Sequence, residues 1–246
     1  LHPEAEANRT EIDVTKQVIT LYDPRRDPSY VLYGIDFGVG SRSFMAIALW
    51  LLGYPDQALE RMHEAVALAQ DLSHFQTMGF ALSLVALLHQ LRREEGTTQE
   101  RAEATVALSN EQGFPMYLAW GTILRGWVLT EQGQGEEGIA QIRQGLATYR
   151  AMGGGAFRPY FLSLLAEAYG KTGQTEEGMK VLAEALALVE KNEERWNEAE
   201  LYRLKGTLIL QSQTSLGQVR TGQNKSQNID SRPLTPDSQA EAEAEA

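Results

Sequence analysis

Gly170-Lys171-Thr172 is the first place where this chain could do chemistry, because a Gly-Lys-Thr step closes the loop that cradles nucleotide phosphates. That loop needs another glycine five residues before the Gly-Lys pair and a strand leading into it. Position 165 is Leu, and the segment closes a helical pattern. Lys171 therefore reads as a favourable charge at a helix C-terminus. Gly38-Val39-Gly40 lacks the third glycine and the strand of a dinucleotide fingerprint. His63-Glu64 opens like a zinc-protease motif, but Ala67 stands where the second histidine belongs. His2, His74 and His89 have no metal-ligand spacing, and His89 reads as a packed core histidine. Cysteine is absent, which removes thiol nucleophiles, disulfides and Cys-based metal sites. No Ser/His/Asp set follows from spacing. The acid pairs Glu136-Glu137, Glu176-Glu177 and Glu193-Glu194 open helices, where the dipole explains them. Asn8-Arg9-Thr10 and Asn224-Lys225-Ser226 match a glycosylation sequon, which means nothing without a secretory context. The sequence assigns no catalytic residue, no metal ligand and no cofactor.

The elements that would have to position any site are helical. In Phe161–Lys191 a stripe of Leu162, Leu165, Ala166 and Tyr169 has helical spacing. Gly173 stops that helix, Thr175 is placed to cap the next, and Gly178, Leu182 and Ala185 form the facing stripe. Stepping by forty from Ala166 gives Ala46, Ala86, Gly126 and Gly206, small every time. Three residues further on lie Leu49, His89, Leu129, Tyr169 and Ile209. The second helices keep phase at Ala58, Gly138 and Gly178, and at Met62, Ile142 and Leu182. Only the second unit slips, with Ala102 and Val106 four residues late. A period of this length means an α-solenoid in which each helix pair is supported by its neighbours.

Small at Ala166, aromatic at Tyr169, Gly at 173, small at Gly178, then Leu182 and Ala185 resembles the tetratricopeptide (TPR) pattern. The period of forty exceeds the usual 34, and the typical Trp near the start and Pro at the end of each repeat are mostly missing. The stretches ALWLLGYPDQALERMHEAVALAQ, ERAEATVALSNEQGF, WGTILRGWVLTEQGQGEEGIAQIRQGLA, LLAEAYGKTGQTEEG and EAELYRLKG are similar to the C-terminal TPR region of large bacterial predicted ATPases. Many of those carry an adenylate/guanylate cyclase domain at the front. The resemblance covers roughly 21–211. It implies an all-α, right-handed α-solenoid of TPR-like antiparallel helix pairs with a period of about 40 residues, serving as a cytoplasmic regulatory or scaffolding arm and not as an enzyme.

Composition bounds the rest. The chain has 246 residues, 43% hydrophobic and 22% charged, with a formal net charge of −11. That acidic balance points away from nucleic acid and from an anionic membrane surface. The longest unbroken apolar run, Phe44–Leu52, falls far short of the roughly 20 residues of a membrane helix. No signal peptide is visible, and the lack of cysteine fits a reducing cytoplasm. Residues 1–22 read as the end of a truncated repeat, with Thr10 and Asp13 at its cap. Residues 23–40, with two prolines and three glycines, read as a loop. Residues 41–211 read as four helix pairs plus the first helix of a fifth, at about 41–53 and 55–72, 74–92 and 98–112, 115–132 and 136–151, 159–172 and 176–191, then 193–211. Thr97 and Glu100 have capping-box spacing, and Gly153–Gly155 reads as a flexible turn. Residues 212–239 are polar and read as a disordered insertion, and 240–246 as the start of a truncated helix. The whole reads as a fragment of a longer protein.

The best functional signal is a column of aromatics. Six residues before the small position lie Gly40, Phe80, Trp120, Tyr160 and Glu200; one after it lies Trp127, and four after it Trp50. Facing inward, the aromatics would line a trough with Lys171 and Arg203 near one end, suited to a peptide or helix with a few aromatic anchors. The alternative is that they pack between adjacent units. The partner would be a protein or peptide, a second protomer, or the catalytic domains of the same chain. The competing reading is a ligand-sensing superhelical domain of an ATP-dependent transcription regulator.

Overall fold

The computed structural model describes residue 13, residues 16–23 and residues 34–229, with side chains described as far as residue 214. Residues 16–21 are helical. The named helices are α1 (Phe37–Leu51), α2 (Pro55–Leu72), α3 (Phe75–Leu91), α4 (Glu95–Gln112), α5 (Pro115–Glu131), α6 (Gly135–Ala151), α7 (Arg158–Lys171), α8 (Thr175–Asn192) and α9 (Glu198–Ile229). No strand occurs among the described residues. Each helix packs on the next in chain order, and odd-numbered helices also touch the next odd-numbered one. The result is a right-handed α-solenoid of antiparallel pairs.

The pairs close at the small positions. Ala46, Ala86 and Ala166 are fully buried. A Cβ on Gly126 would come within 2.7 Å of the Gly138 carbonyl oxygen, and one on Gly138 within 2.5 Å of the Gly126 carbonyl oxygen. Glycine on both helices therefore lets α5 and α6 touch backbone to backbone. The second helices run through the repeat with no slip. Ala58, Met62, Ala65 and Ala69 of α2 are answered at intervals of forty by Thr98, Ala102, Thr105 and Ser109 of α4, all buried. The expected four-residue offset is corrected on this point. Thr98, Thr105 and Ser109 turn their hydroxyls back onto carbonyls four residues earlier, at 2.8, 2.8 and 2.6 Å. So satisfied, they are buried as small residues, although a search for apolar residues passes over them.

A second beat runs at half the period. Positive φ occurs at Gly53, Ser73, Arg93, Gly113, Gly133, Gly153, Gly173 and Glu193, every twentieth residue, at the end of each helix. The left-handed residue releases the helix and turns the chain back. Only at 73, 93 and 193 does the position carry a side chain.

Several boundaries move from those expected. α1 begins at Phe37, inside the segment read as loop, because the Asp36 carboxylate accepts from Val39 N at 3.0 Å and caps it. Gly38, which looked like a breaker, is helical; its missing side chain makes room for the Tyr22 ring, 2.5 Å from where a Cβ would sit. Neither Thr97 nor Thr175 is a cap, since α4 starts at Glu95 and α8 at Thr175 itself. In the turn at 153–155, Gly154 lies against the Tyr149 ring. α9 carries on past Gln211 into the polar stretch expected to be disordered, which holds no proline before Pro233. Residues 230–246, including the expected helix start at 240, lie outside the described residues, as does most of 1–15. No helix among the described residues is long and apolar enough to cross a membrane.

Candidate functional site: a cleft on the inner face

The first helices of successive pairs line the inner face, and the superhelix curls tightly enough for distant units to meet across it. Tyr160 on α7 donates its hydroxyl to Gln90 Oε1 on α3, 70 residues away, at 2.6 Å. Arg93, in the turn after α3, reaches Glu167 on α7 at 2.6 Å and Glu200 on α9, 107 residues away, at 3.5 Å. Between these bridges lies a cleft of about 390 Å³, with Trp50, Gln90, Tyr160, Ser163, Trp196 and Asn197 among its walls.

Its floor is polar and almost fully buried. Gln90, Tyr160, Ser163 and Asn197 are each no more than 5% exposed. Ser163 Oγ donates to the Tyr160 carbonyl at 2.6 Å and accepts from Asn197 Nδ2 at 3.1 Å. Burial pushes the Tyr160 phenol well above its ordinary pKa, so it stays a donor. Two groups are left over: the Gln90 amide nitrogen and the Asn197 amide oxygen have no partner among the described residues. One donor and one acceptor on the same cleft can meet the C=O and N–H of one extended residue, which point the same way. Both atoms open onto the cleft and keep access to solvent, so a ligand there would replace water on them.

The rim is a ladder of charge. The Arg93 guanidinium stands 2.6 Å from Glu167, 3.5 Å from Glu200 and 3.7 Å from Glu131. It also lies 5.7 Å from the centroid of the Trp127 ring, whose Nε1 donates to Glu167 at 3.3 Å. Lys171 pairs with Glu131, and Arg203 with Glu200 at 2.6 Å. Exposed pairs contribute little singly. Here Glu131 and Glu167 are largely covered, so the three cations hold three carboxylates in place along the inner face.

The structure brings together only part of the expected trough. Trp50, Tyr160 and Arg203 line the cleft. Trp127 and Lys171 belong to the rim ladder and do not line it. Phe80 lies edge-on to Phe44, 5.9 Å between centroids. Trp120 is buried among Tyr149, Phe157 and Phe161, at 6.1, 4.9 and 5.1 Å. No continuous aromatic trough forms, because Phe80 and Trp120 pack onto the adjacent units, as the alternative reading has it. Sequence reading missed Gln90, Arg93, Ser163, Trp196 and Asn197. Gln90 was within reach, standing forty residues after Trp50. Arg93 was legible as a non-glycine at the left-handed beat. Among the described residues no group of three or more His, Asp or Glu could hold a metal ion.

A tetratricopeptide-repeat family model matches residues 39–64, which is most of the first helix pair. The fold is a TPR-like solenoid. Among solved structures, BtubC (BKLC) from P. vanneervenii matches with a TM-score of 0.52 at 16% identity, covering 95% of this chain and 93% of that one. Two crystal structures of a Podosopora anserina putative kinesin light chain with nearly identical TPR-like repeats, one of them Q17M, match at 18% identity. They cover 78% of this chain and 96% of theirs, with TM-scores of 0.47 and 0.45. At such identities the likeness concerns the fold alone. No curated protein matches in sequence. TPR repeats generally mediate protein–protein interaction and are typical of non-catalytic scaffolds.

Proposed function

We propose that this chain is a protein-interaction module that grips a short extended peptide segment in its inner cleft. It would serve as the regulatory arm of a larger bacterial signalling ATPase or nucleotide cyclase, holding a partner, a second protomer or the catalytic domains of its own protein. The observation that carries this reading is the unpaired Gln90 nitrogen and Asn197 oxygen on a buried polar floor, beside the Trp50 and Trp196 rings. The N–H and C=O of one extended residue satisfy both at once, while the aromatic walls take the side chains that flank it. The resemblance in the repeat sequences supports the larger context.

The test is calorimetric titration of the chain with the purified domains of its full-length protein and with peptides tiled across them. Gln90→Ala and Asn197→Ala each weaken the interaction by about tenfold, the worth of one buried hydrogen bond; both also lower the melting temperature, since the Tyr160 hydroxyl and Ser163 Oγ each lose a partner, and affinity is read on the folded variants. Unchanged affinity in both variants overturns the reading.

A further inference from the structure

A second cavity, of about 540 Å³, lies between α1 and the turns that follow α6 and α8. That volume suits a small ligand. Phe44, Ile47 and Leu51 of α1 form one wall, and Phe157 and Trp196 the other. Glu194 is the one charged residue that lines it among the described residues. Its Oε1 accepts from Phe157 N at 2.8 Å and from Trp196 Nε1 at 3.0 Å, which fixes the carboxylate at the edge of the Trp196 ring, itself 5.8 Å from the Phe157 ring. Its Oε2 has no donor among the described residues. Among the described residues no lysine or arginine faces it: Arg195, its neighbour in sequence, turns away to Glu198 at 3.0 Å. Burial holds the Glu194 carboxyl above the usual carboxylate range, and the bonds from Trp196 and Phe157 do not cancel that effect. Phe157, meanwhile, holds a left-handed φ of 62°, a strained conformation for an aromatic residue, while its N–H points at Glu194.

A carboxylate without a cationic partner among the described residues, set at the edge of an indole beside an aliphatic wall, is complementary to one kind of ligand. We infer that this cavity binds a small organic ammonium ion carried on an apolar body. The ammonium group lies against Glu194 Oε2, with the Trp196 and Phe157 rings of the cavity wall beside it to attract a cation through their π-systems. The apolar body rests on Ile47, Ala48 and Leu51. The net charge of −11 raises the local concentration of such cations. The occupant is small because two turns and a helix wall the cavity. The site is distinct from the peptide cleft, although Trp196 and Leu51 border both.

The probe pair is 2-phenylethylamine, cationic at neutral pH, and its neutral analogue 2-phenylethanol, titrated calorimetrically into the whole chain. The amine binds with Kd below about 1 mM and about tenfold more tightly than the alcohol. Glu194→Gln can still accept from Phe157 N and Trp196 Nε1; it brings the amine down to the affinity of the alcohol and leaves the alcohol unchanged. Phe44→Ala, at the open edge of the cavity, weakens both probes and guards against a Glu194 variant that fails to fold. Equal affinity of amine and alcohol for the unaltered chain overturns the inference. So does a folded Glu194→Gln that binds the amine undiminished, or the absence of binding by either probe.

Discussion

Helices α5 and α9 hold the same place in their repeats, with Gly126 in one answering Gly206 in the other. Around α5 almost every side is covered: Trp120, Ile123, Leu124, Trp127 and Val128 are all buried, and α6, α4, α3 and α7 all touch it. α9 buries a single stripe of Leu201, Leu204 and Leu208, while Tyr202, Ile209 and Leu210 stay exposed. A Cβ on Gly126 meets backbone within 3 Å, whereas one on Gly206 meets nothing within 4 Å. The same residue in the same register is thus a requirement of packing in one unit and a cost to helix propensity in the other. A repeat position gains its meaning from the neighbour laid on it.

The largest effect expected from this contrast is at the aromatics. Trp120→Ala empties a buried, ring-lined site and costs about 3–5 kcal/mol, read as the shift of a urea midpoint. Tyr202→Ala on α9, at an exposed position, stays within about 0.5 kcal/mol. Similar losses would break the comparison. The glycines sharpen it, because they carry opposite signs. Gly126→Ala forces the α5 and α6 backbones apart and costs about 1–3 kcal/mol, while Gly206→Ala stabilises by up to about 1 kcal/mol through helix propensity. Thermal melts of the pair suffice, and destabilisation by both would sink the contrast.

The turns allow a finer test. Arg93 and Glu193 both take left-handed φ, at 60° and 58°. Arg93 is tied to Glu131, Glu167 and Glu200; the Glu193 side chain makes no bond among the described residues. Glu193→Gly therefore relieves strain and gains about 1 kcal/mol, whereas Arg93→Gly gives up its ladder and lowers the melting temperature. The smallest effect concerns pH. Burial pushes the Glu94 carboxyl up, but hydrogen bonds from His89 and Arg92 outweigh it and hold the pKa below the ordinary value. A carboxyl depressed in the fold stabilises above its unfolded pKa, and that contribution fades as pH falls through the folded one. Glu94→Gln accordingly flattens the acid side of the stability profile and leaves the neighbourhood of Glu193 untouched. A profile unchanged by the substitution would show that the His89 and Arg92 contacts carry no weight.

The helix pairs and their small contact positions could be read from the chain, because Ala46, Ala86, Gly126 and Ala166 recur where two backbones approach. The phase of α4 could not, since Thr98, Thr105 and Ser109 are polar by type and small in effect. Gly38 concealed the start of α1: it looks like a breaker, yet it makes room for Tyr22. The inner cleft was legible only in part. Helical spacing places Tyr160 and Trp50 on a face, but it does not state how tightly the superhelix closes. That closure brings Arg93 to Glu200. Trp196 and Asn197 precede α9, outside any stripe, so periodicity is blind to them.

The left-handed residue at every twentieth position also limits how such a chain can change its length. Adding or removing forty residues restores the alternation of inner and outer helices, so whole units can be gained or lost by duplication or excision. A change of twenty would put an outer helix where an inner one belongs and reverse the direction of everything downstream.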